Sequence, residues 1–132
     1  MITLDTSGLL ALLDRSEPRH DDAVAVLMAD RGPFIVPAGI LAEAGYMIER
    51  LLGGAVIDLF LADLESGTFA LDCGETDLPR ISELVGRYAD LPLGTADASV
   101  VACAERNGGR ILTLDVRDFG AVAREMDLSI LP

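Results

Sequence analysis

The chain has 132 residues, 51% of them hydrophobic, which predicts one compact domain over residues 1–132 with a substantial core. Its formal net charge is −12, with 22 Asp and Glu residues against 10 basic residues, all of which are Arg. Proteins that bind nucleic acid without sequence preference are normally basic, so a polyanionic substrate would have to be bound locally, by metal ions and a few Arg residues. The acidity could also aid solubility or bind a basic partner segment, and these three explanations are compatible.

Short apolar runs alternate along the chain with segments of helical periodicity, and Gly or Pro separates most of them. The predicted elements, in chain order, are a strand at 1–5, helices at 9–14 and 19–30, a strand at 34–36, helices at 39–52 and 55–65, a strand at 68–71, helices at 77–88 and 95–107, a strand at 110–114, a helix at 118–126 and a strand at 128–131. Thr6 or Ser7 is the predicted N-cap of the first helix, and Asp118 is a candidate N-cap of the last. The alternation predicts an α/β sandwich around a mostly parallel sheet of about five strands.

The cysteine pattern and the lengths of the apolar runs bear on the compartment. Cys73 and Cys103 are the only cysteines, and neither has Cys-x-x-Cys or His spacing. We expect both to be buried reduced thiols, which disfavours a zinc site or a disulfide and is typical of a cytoplasmic protein. No apolar stretch approaches the roughly 20 residues of a membrane helix, and the N-terminus lacks the basic segment of a signal peptide.

Four carboxylates fall where predicted strands end or predicted helices begin, and we call them the acidic quartet. They are Asp5, Glu43, Asp97 and Asp115. In open parallel sheets, ligands bind beyond the carboxyl ends of the strands, where two of these residues are predicted to lie. Burying like charges together is costly unless a cation neutralises them. The pattern therefore predicts a Mg²⁺ or Mn²⁺ site and suggests metal-assisted cleavage of a phosphodiester.

Each member of the quartet also has an ordinary structural explanation. Asp5 and Asp115 could be turn or capping carboxylates. Asp97 could simply interact favourably with its helix dipole, although it shares a predicted inward face with apolar residues. Glu43 could be a surface residue paired with Arg50 or Tyr46. The joint placement of the four at one edge is more informative than any one of them.

Four sequence blocks carry a wider resemblance. They are Leu4-Asp5-Thr6-Ser7, Ala42-Glu43 with Tyr46, the run from Asp90 to Asp97 continuing into Val100-Val101-Ala102, and Leu112-Thr113-Leu114-Asp115-Val116-Arg117-Asp118-Phe119. In this order and spacing, the chain resembles the PIN-domain nucleases and most closely the VapC toxins of bacterial toxin–antitoxin pairs. The resemblance covers essentially the whole chain and implies a three-layer α/β/α sandwich.

The resemblance implies an activity and a role for each member of the quartet. It implies an endoribonuclease that hydrolyses RNA with Mg²⁺, or with Mn²⁺ as a substitute. Asp5 and Asp97 would be the most direct metal ligands. Glu43 and Asp115 would hold a metal directly or through water.

Further residues and partners follow from the same resemblance. Ser7 and Thr113 match hydroxyl positions that orient the carboxylates, and Asp118 matches a position that is frequently acidic. The family also implies a VapB-like antitoxin encoded alongside and a homodimer. The helices predicted between residues 39 and 65 are rich in apolar residues, which either pack in the core or form a dimer surface.

Other proteins with strand-end carboxylates fit the sequence less well. A phosphoacceptor receiver domain relies on a Lys, and this chain has none. A haloacid-dehalogenase-like phosphatase needs Asp-x-Asp-x-Thr after the first strand, and Ser7 occupies the second Asp position. The main non-enzymatic alternative is a catalytically silent PIN-like module that binds protein or RNA.

The remaining candidates are the single His and three Arg residues. We expect His20 to be a surface or packing residue rather than a catalytic one. The Arg residues nearest to the quartet along the chain are candidates for RNA contact, with solvated or ion-paired side chains as the alternative. They are Arg15, Arg110 and Arg117.

Overall fold

The computed structural model describes all residues from 1 to 132 and contains one sheet of five strands, seven α-helices and one 3-10 turn. The strands are β1 (Ile2–Leu4), β2 (Phe34–Pro37), β3 (Ala70–Asp72), β4 (Arg110–Leu112) and β5 (Ser129–Leu131). The helices are α1 (Thr6–Leu13), α2 (His20–Met28), α3 (Leu41–Leu52), α4 (Gly54–Ser66), α5 (Leu78–Arg87), α6 (Thr95–Arg106) and α7 (Val116–Glu125), and the 3-10 turn (Ala38–Ile40) leads into α3.

All five strands are parallel, in the order β3-β2-β1-β4-β5. The central strand is β1, whose Thr3 pairs with Ile35 of β2 on one side and with Ile111 of β4 on the other. The strand order therefore reverses at β1, and in such sheets ligands bind beyond the carboxyl ends of the strands at this reversal. The predicted α/β/α sandwich with a parallel sheet is confirmed.

One hydrophobic core of 22 buried residues runs through the molecule. Helix α6 lies deepest, because all seven residues from Ala98 to Ala104 are buried. Their small Ala, Ser, Val and Cys side chains let the helix pack closely against the sheet and the neighbouring helices. This packing fixes the first turn of α6, which carries Asp97, relative to the carboxyl ends of the strands.

Two glycines allow close approaches that position the same edge. A Cβ on Gly8 would overlap the carbonyl oxygen of Leu112, so α1 packs directly on the end of β4. A Cβ on Gly39 would overlap the side chain of Ser99, so the 3-10 turn before α3 lies directly against α6. Both approaches bring elements that carry quartet residues towards one another.

The helix starts differ from the predictions at the two ends where the quartet lies. Helix α1 begins at Thr6 rather than residue 9, and its N-cap is Asp5, not Thr6 or Ser7. Helix α7 begins at Val116, and its N-cap is Asp115, whose side chain accepts a hydrogen bond from the Asp118 N–H. The predicted strands were too long: β1 ends at Leu4, one residue earlier than predicted, and β4 ends at Leu112, two residues earlier. The carboxylate that follows each strand is therefore the N-cap of the next helix.

The two cysteines occupy different environments. Cys103 is buried in α6, where burial raises the pKa of its thiol to about 11. Cys73 is exposed, so the prediction of two buried thiols was wrong for this residue, which follows β3 in an open loop. Both are free thiols, as predicted. None of the helices has the length and apolar character needed to cross a membrane.

Candidate metal centre

The acidic quartet comes together at the carboxyl edge of the sheet. Asp5 directly follows β1, Asp115 caps α7 just beyond β4, and Asp97 and Glu43 stand in the first turns of α6 and α3. All four line one cleft of about 210 Å³, which we call the acidic cleft. Four separate elements thus deliver one carboxylate each to the point where the strand order reverses.

Asp5 is the most firmly held carboxylate of the cleft. The hydroxyls of Ser7 and Thr113 each donate a hydrogen bond of 2.8 Å to its Oδ2, and the two hydroxyls are 3.1 Å apart. The backbone N–H groups of Leu114 and Asp115 donate in turn to these hydroxyls, at 2.9 and 3.0 Å. Because every side-chain hydrogen bond to Asp5 goes to Oδ2, its Oδ1 stays available for a ligand.

The other three members have fewer constraints. Thr6 donates a 3.2 Å hydrogen bond to Oε2 of Glu43, and Asp115 accepts only from the Asp118 N–H, also at 3.2 Å. Asp97 has no side-chain hydrogen bond or ion pair in the protein. The alternative pairing of Glu43 with Arg50 or Tyr46 is wrong, because Arg50 donates to the Tyr46 hydroxyl instead. Sequence reasoning missed the contact of Thr6 with Glu43, which its position beside Asp5 could have suggested.

The pKa of Asp97 reflects the burial of this residue and the electrostatic repulsion within the cleft. Burial, followed by the charges of the neighbouring carboxylates, raises the pKa of Asp97 from 3.8 to about 6. The contributing carboxylates are Asp5, Asp115, Asp118 and Glu43. No Arg side chain lines the acidic cleft, so the protein itself supplies no positive charge to offset this repulsion.

The donor set suits a hard divalent cation. Every polar side chain that lines the cleft presents oxygen, as Mg²⁺ and Mn²⁺ prefer, and no His or Cys is there for zinc. Beside the cleft, Oδ1 of Asp118 is buried and accepts no hydrogen bond, and its nearest cation is Arg117 Nε at 3.7 Å. No three His, Cys, Asp or Glu side chains are already arranged to hold a metal, so binding would require the side chains to move.

Two other candidates lie away from the cleft. The Nδ1 of His20 is 2.7 Å from the carbonyl oxygen of Ala11, to which it can donate, so His20 is a packing residue, as expected. Arg110 begins β4, at the opposite edge of the sheet, and pairs with Asp30. Its nearness to Asp115 in the sequence was misleading, because the strand between them spans the sheet. It is therefore wrong as a candidate for RNA contact near the cleft.

Comparison with known proteins defines the class. The family model described as PIN domain matches residues 2–125, which is nearly the whole chain and includes the entire acidic quartet. The chain belongs to the PIN domain family. The resemblance inferred from the four sequence blocks is thereby confirmed.

Particular relatives agree with this assignment. The chain is 33% identical over 121 residues to Ribonuclease VapC26 of Mycobacterium tuberculosis, and the match covers 90% of each chain. Among solved structures, it is similar to Mycobacterium tuberculosis VapC20, described as a sarcin-ricin loop cleaving toxin, with a TM-score of 0.80, 22% identity and coverage of 92% of this chain and 95% of that one. FitAcB from Neisseria gonorrhoeae matches with a TM-score of 0.66, 21% identity and coverage of 100% and 97%. At these identities the two structures support the fold alone.

Proposed function

We propose that the chain is a metal-dependent endoribonuclease that hydrolyses RNA phosphodiester bonds as the toxin of a VapBC-type toxin–antitoxin pair. The observation that carries the proposal is the convergence of the acidic quartet on one cleft from four separate elements. The similarity to a named ribonuclease over 90% of the chain supports it. We propose further that residues 1–132 form a single nuclease domain, because one core and its packed neighbours extend from β1 to β5.

In this proposal the cation is Mg²⁺, with Mn²⁺ as a substitute. Asp5 and Asp97 would hold it directly, and Glu43 and Asp115 directly or through water. When bound, the cation polarises the scissile phosphate and stabilises the negative charge that develops on it. The oxygen-only donor set of the cleft supports this choice of ion.

The protein's own residues hold the reacting groups in place. Ser7 and Thr113 fix the orientation of Asp5 by donating hydrogen bonds to its Oδ2. Oε1 of Glu43 and Oδ2 of Asp115 accept no hydrogen bond in the protein, so either atom can orient the attacking water and take its proton. With the only His engaged elsewhere, hydrolysis within one protomer would depend on carboxylates and metal.

Two partners belong to the proposal. The similarity to VapC proteins supports a small VapB-like antitoxin, and the net charge of −12 would complement a basic segment of it. A homodimer is supported by exposed apolar side chains on α3 and α4, namely Tyr46, Leu51 and Leu59, which are 60–66% exposed. Co-purification of a small protein encoded alongside and the molar mass by light scattering would test these two points.

Cleavage of RNA by the purified protein tests the activity. We expect the wild type to cleave RNA with Mg²⁺ or Mn²⁺ and to be inactive in EDTA. Asp97→Asn should lower the rate by roughly 100-fold or more, since loss of a residue that merely supports a metal ligand already costs 10–100-fold. Product formation on denaturing gels gives the measurement.

The control is Asp58→Asn, which removes an equal charge from the exposed surface of α4 and should leave the rate unchanged. A wild type that cleaves no RNA with either metal, or an Asp97→Asn variant as fast as wild type, contradicts the proposal. The first of these outcomes would favour a silent binding module.

A further inference from the structure

A second and larger cleft, of about 490 Å³, lies between the end of α5 with its following loop and the last turns of α7. We call it the arginine groove, because Arg87 stands on the α5 side and Arg124 on the α7 side. We infer that this groove binds the phosphodiester backbone of the RNA strand that crosses the acidic cleft, with Arg124 and the neighbouring Arg117 as phosphate contacts. The inference rests on the proposed function and assigns a place for the substrate outside the metal centre.

The arginine groove is continuous with the acidic cleft along the chain. Its loop wall, at Tyr88 to Leu91, leads directly into the first turn of α6 and thus to Asp97. Its other wall is α7, which starts at the Asp115 cap and reaches the groove at Ala121, about two turns later. Each wall of the groove is thus connected to a carboxylate of the acidic cleft through six residues of chain, from Leu91 to Asp97 and from Asp115 to Ala121.

One face of α7 is suited to following a phosphate backbone. Arg117, Ala121 and Arg124 are spaced i, i+4 and i+7, which places them on the same side of the helix. The two Arg residues are about 10 Å apart along the helix axis, and the small Ala121 leaves the surface between them open. Arg117 is 83% exposed and Arg124 is also exposed, so both guanidinium groups are accessible.

The acidic residues near the groove do not occupy the hydrogen-bond donors of the Arg117 and Arg124 guanidinium groups. Glu125 is already engaged, by Arg87 at 3.0 Å and by the Tyr88 hydroxyl at 2.6 Å. Arg124 makes no ion pair or side-chain hydrogen bond, and Arg117 approaches Asp118 only at 3.7 Å, which is longer than a hydrogen bond. Asp90 on the loop wall would repel a phosphate, which favours the α7 wall for the contact.

Most other Arg residues of the chain are occupied away from this face. Arg80 pairs with Glu83 and Glu105, Arg106 with Asp72 and Asp77, and Arg110 with Asp30. A polyanion approaching a protein with a net charge of −12 needs local positive charge beside the site of cleavage. Phosphate contacts of this kind position a strand without reading its sequence, so RNA of any sequence can report on them.

Binding to an inactive protein tests the groove. The probe is a short fluorescein-labelled single-stranded RNA of mixed sequence, titrated by anisotropy against the Asp97→Asn protein in Mg²⁺. Adding Arg124→Gln should weaken binding roughly tenfold and should reduce the slope of log K against log salt by about 0.7, the value for one lost phosphate contact on a single strand. Adding Arg117→Gln as well should weaken binding further and reduce the slope by about as much again.

The matched control is Arg31→Gln, which removes an exposed Arg without an ion pair ahead of β2, at the opposite edge of the sheet. It should change RNA affinity less than about twofold. The inference that the groove binds RNA would be overturned if the Arg124→Gln and Arg31→Gln proteins had equal affinities for RNA. It would also be overturned if the Asp97→Asn protein itself bound no RNA. If the wild type cleaves no RNA, the proposed nuclease activity is contradicted. The comparison of RNA affinities still decides whether the arginine groove binds RNA.

Discussion

At the scale of single residues, Asp97 shows the cost of gathering carboxylates in one cleft. Its pKa lies near 6 in the folded protein, against 3.8 for an ordinary Asp, because it is half-buried beside four other carboxylates. Folding therefore strengthens proton binding by this group, and its ionised form destabilises the fold. The stability cost develops as the pH rises from about 4 to about 6 and is fully present above that range.

Removing this charge should stabilise the metal-free protein. In EDTA near neutral pH, Asp97→Asn should increase the free energy of unfolding by on the order of 1 kcal/mol, a figure discounted for the partial exposure of the group. This corresponds to a rise in Tm of about 4 °C. The gain should vanish below about pH 4, where Asp97 is protonated in both states.

Thermal unfolding followed by circular dichroism across this pH range measures the effect. Asp58→Asn serves again as the control and should show no such pH-dependent gain. If Asp97→Asn is no more stable than wild type at neutral pH, or if its gain is the same at every pH, then Asp97 does not carry the repulsion described.

At the scale of elements, the site depends on how closely helices approach the carboxyl edge of the sheet. The 3-10 turn before α3 touches α6 through Gly39 and Ser99, and the Ser99 hydroxyl donates a 2.6 Å hydrogen bond to the Ala96 carbonyl in the first turn of α6. On one side of this contact, Glu43 lies in the first turn of α3, and on the other side Asp97 lies in the first turn of α6. The contact therefore sets the spacing between two of the carboxylates.

A methyl group at this contact should disturb both stability and metal binding. Gly39→Ala should cost about 1–3 kcal/mol, as overpacking in a close-packed site does, and should weaken Mn²⁺ binding by roughly tenfold. Adding Ser99→Gly removes the opposing side chain and should restore most of the Mn²⁺ affinity, although glycine in the helix costs about 1 kcal/mol of its own. Calorimetric titration with Mn²⁺ and denaturant unfolding provide the two readouts.

The control for this substitution is Gly86→Ala in α5, where a Cβ meets nothing within 4 Å. It should be neutral or slightly stabilising, because alanine has the higher helix propensity. Failure of Ser99→Gly to improve Mn²⁺ binding in the Gly39→Ala background would mean that this contact does not set the spacing.

At the scale of the whole molecule, the net charge of −12 opposes compactness through self-repulsion. The core of 22 buried residues must outweigh this repulsion. Several ion pairs offset part of it, including the double pairing of Arg106 with Asp72 and Asp77, which ties the end of α6 to β3 and to the start of α5. The excess of carboxylates over Arg nevertheless leaves most of the acidic side chains without a cationic partner.

Added salt should therefore stabilise this protein. Raising NaCl from about 0.01 to about 0.15 M shortens the Debye length from about 30 to about 8 Å and screens repulsion between exposed carboxylates. We expect the Tm to rise by a few degrees, measured without divalent ions. A Tm that is flat or falls over this range would show that favourable ion pairs, and not net repulsion, dominate the electrostatic free energy.

The sequence by itself determined the α/β class, the number and order of the elements and the identity of the four quartet residues. It could do so because strand and helix periodicities are local and because Asp5 and Asp115 directly follow apolar strand runs. It located the helix starts less well, since the carboxylates at the strand ends are themselves the helix caps.

Only the tertiary structure decided which groups meet. The Ser7 and Thr113 hydroxyls, 106 residues apart in the chain, converge on one oxygen of Asp5. Burial, followed by the charges of carboxylates on other elements, raises the pKa of Asp97. The exposure of Cys73, the pairing of Arg110 with Asp30 at the far edge and the position of Arg124 opposite the end of α5 in the arginine groove depend on the same packing. Such relations are distances in space between residues far apart in sequence, and the sequence pattern constrains them only through the fold.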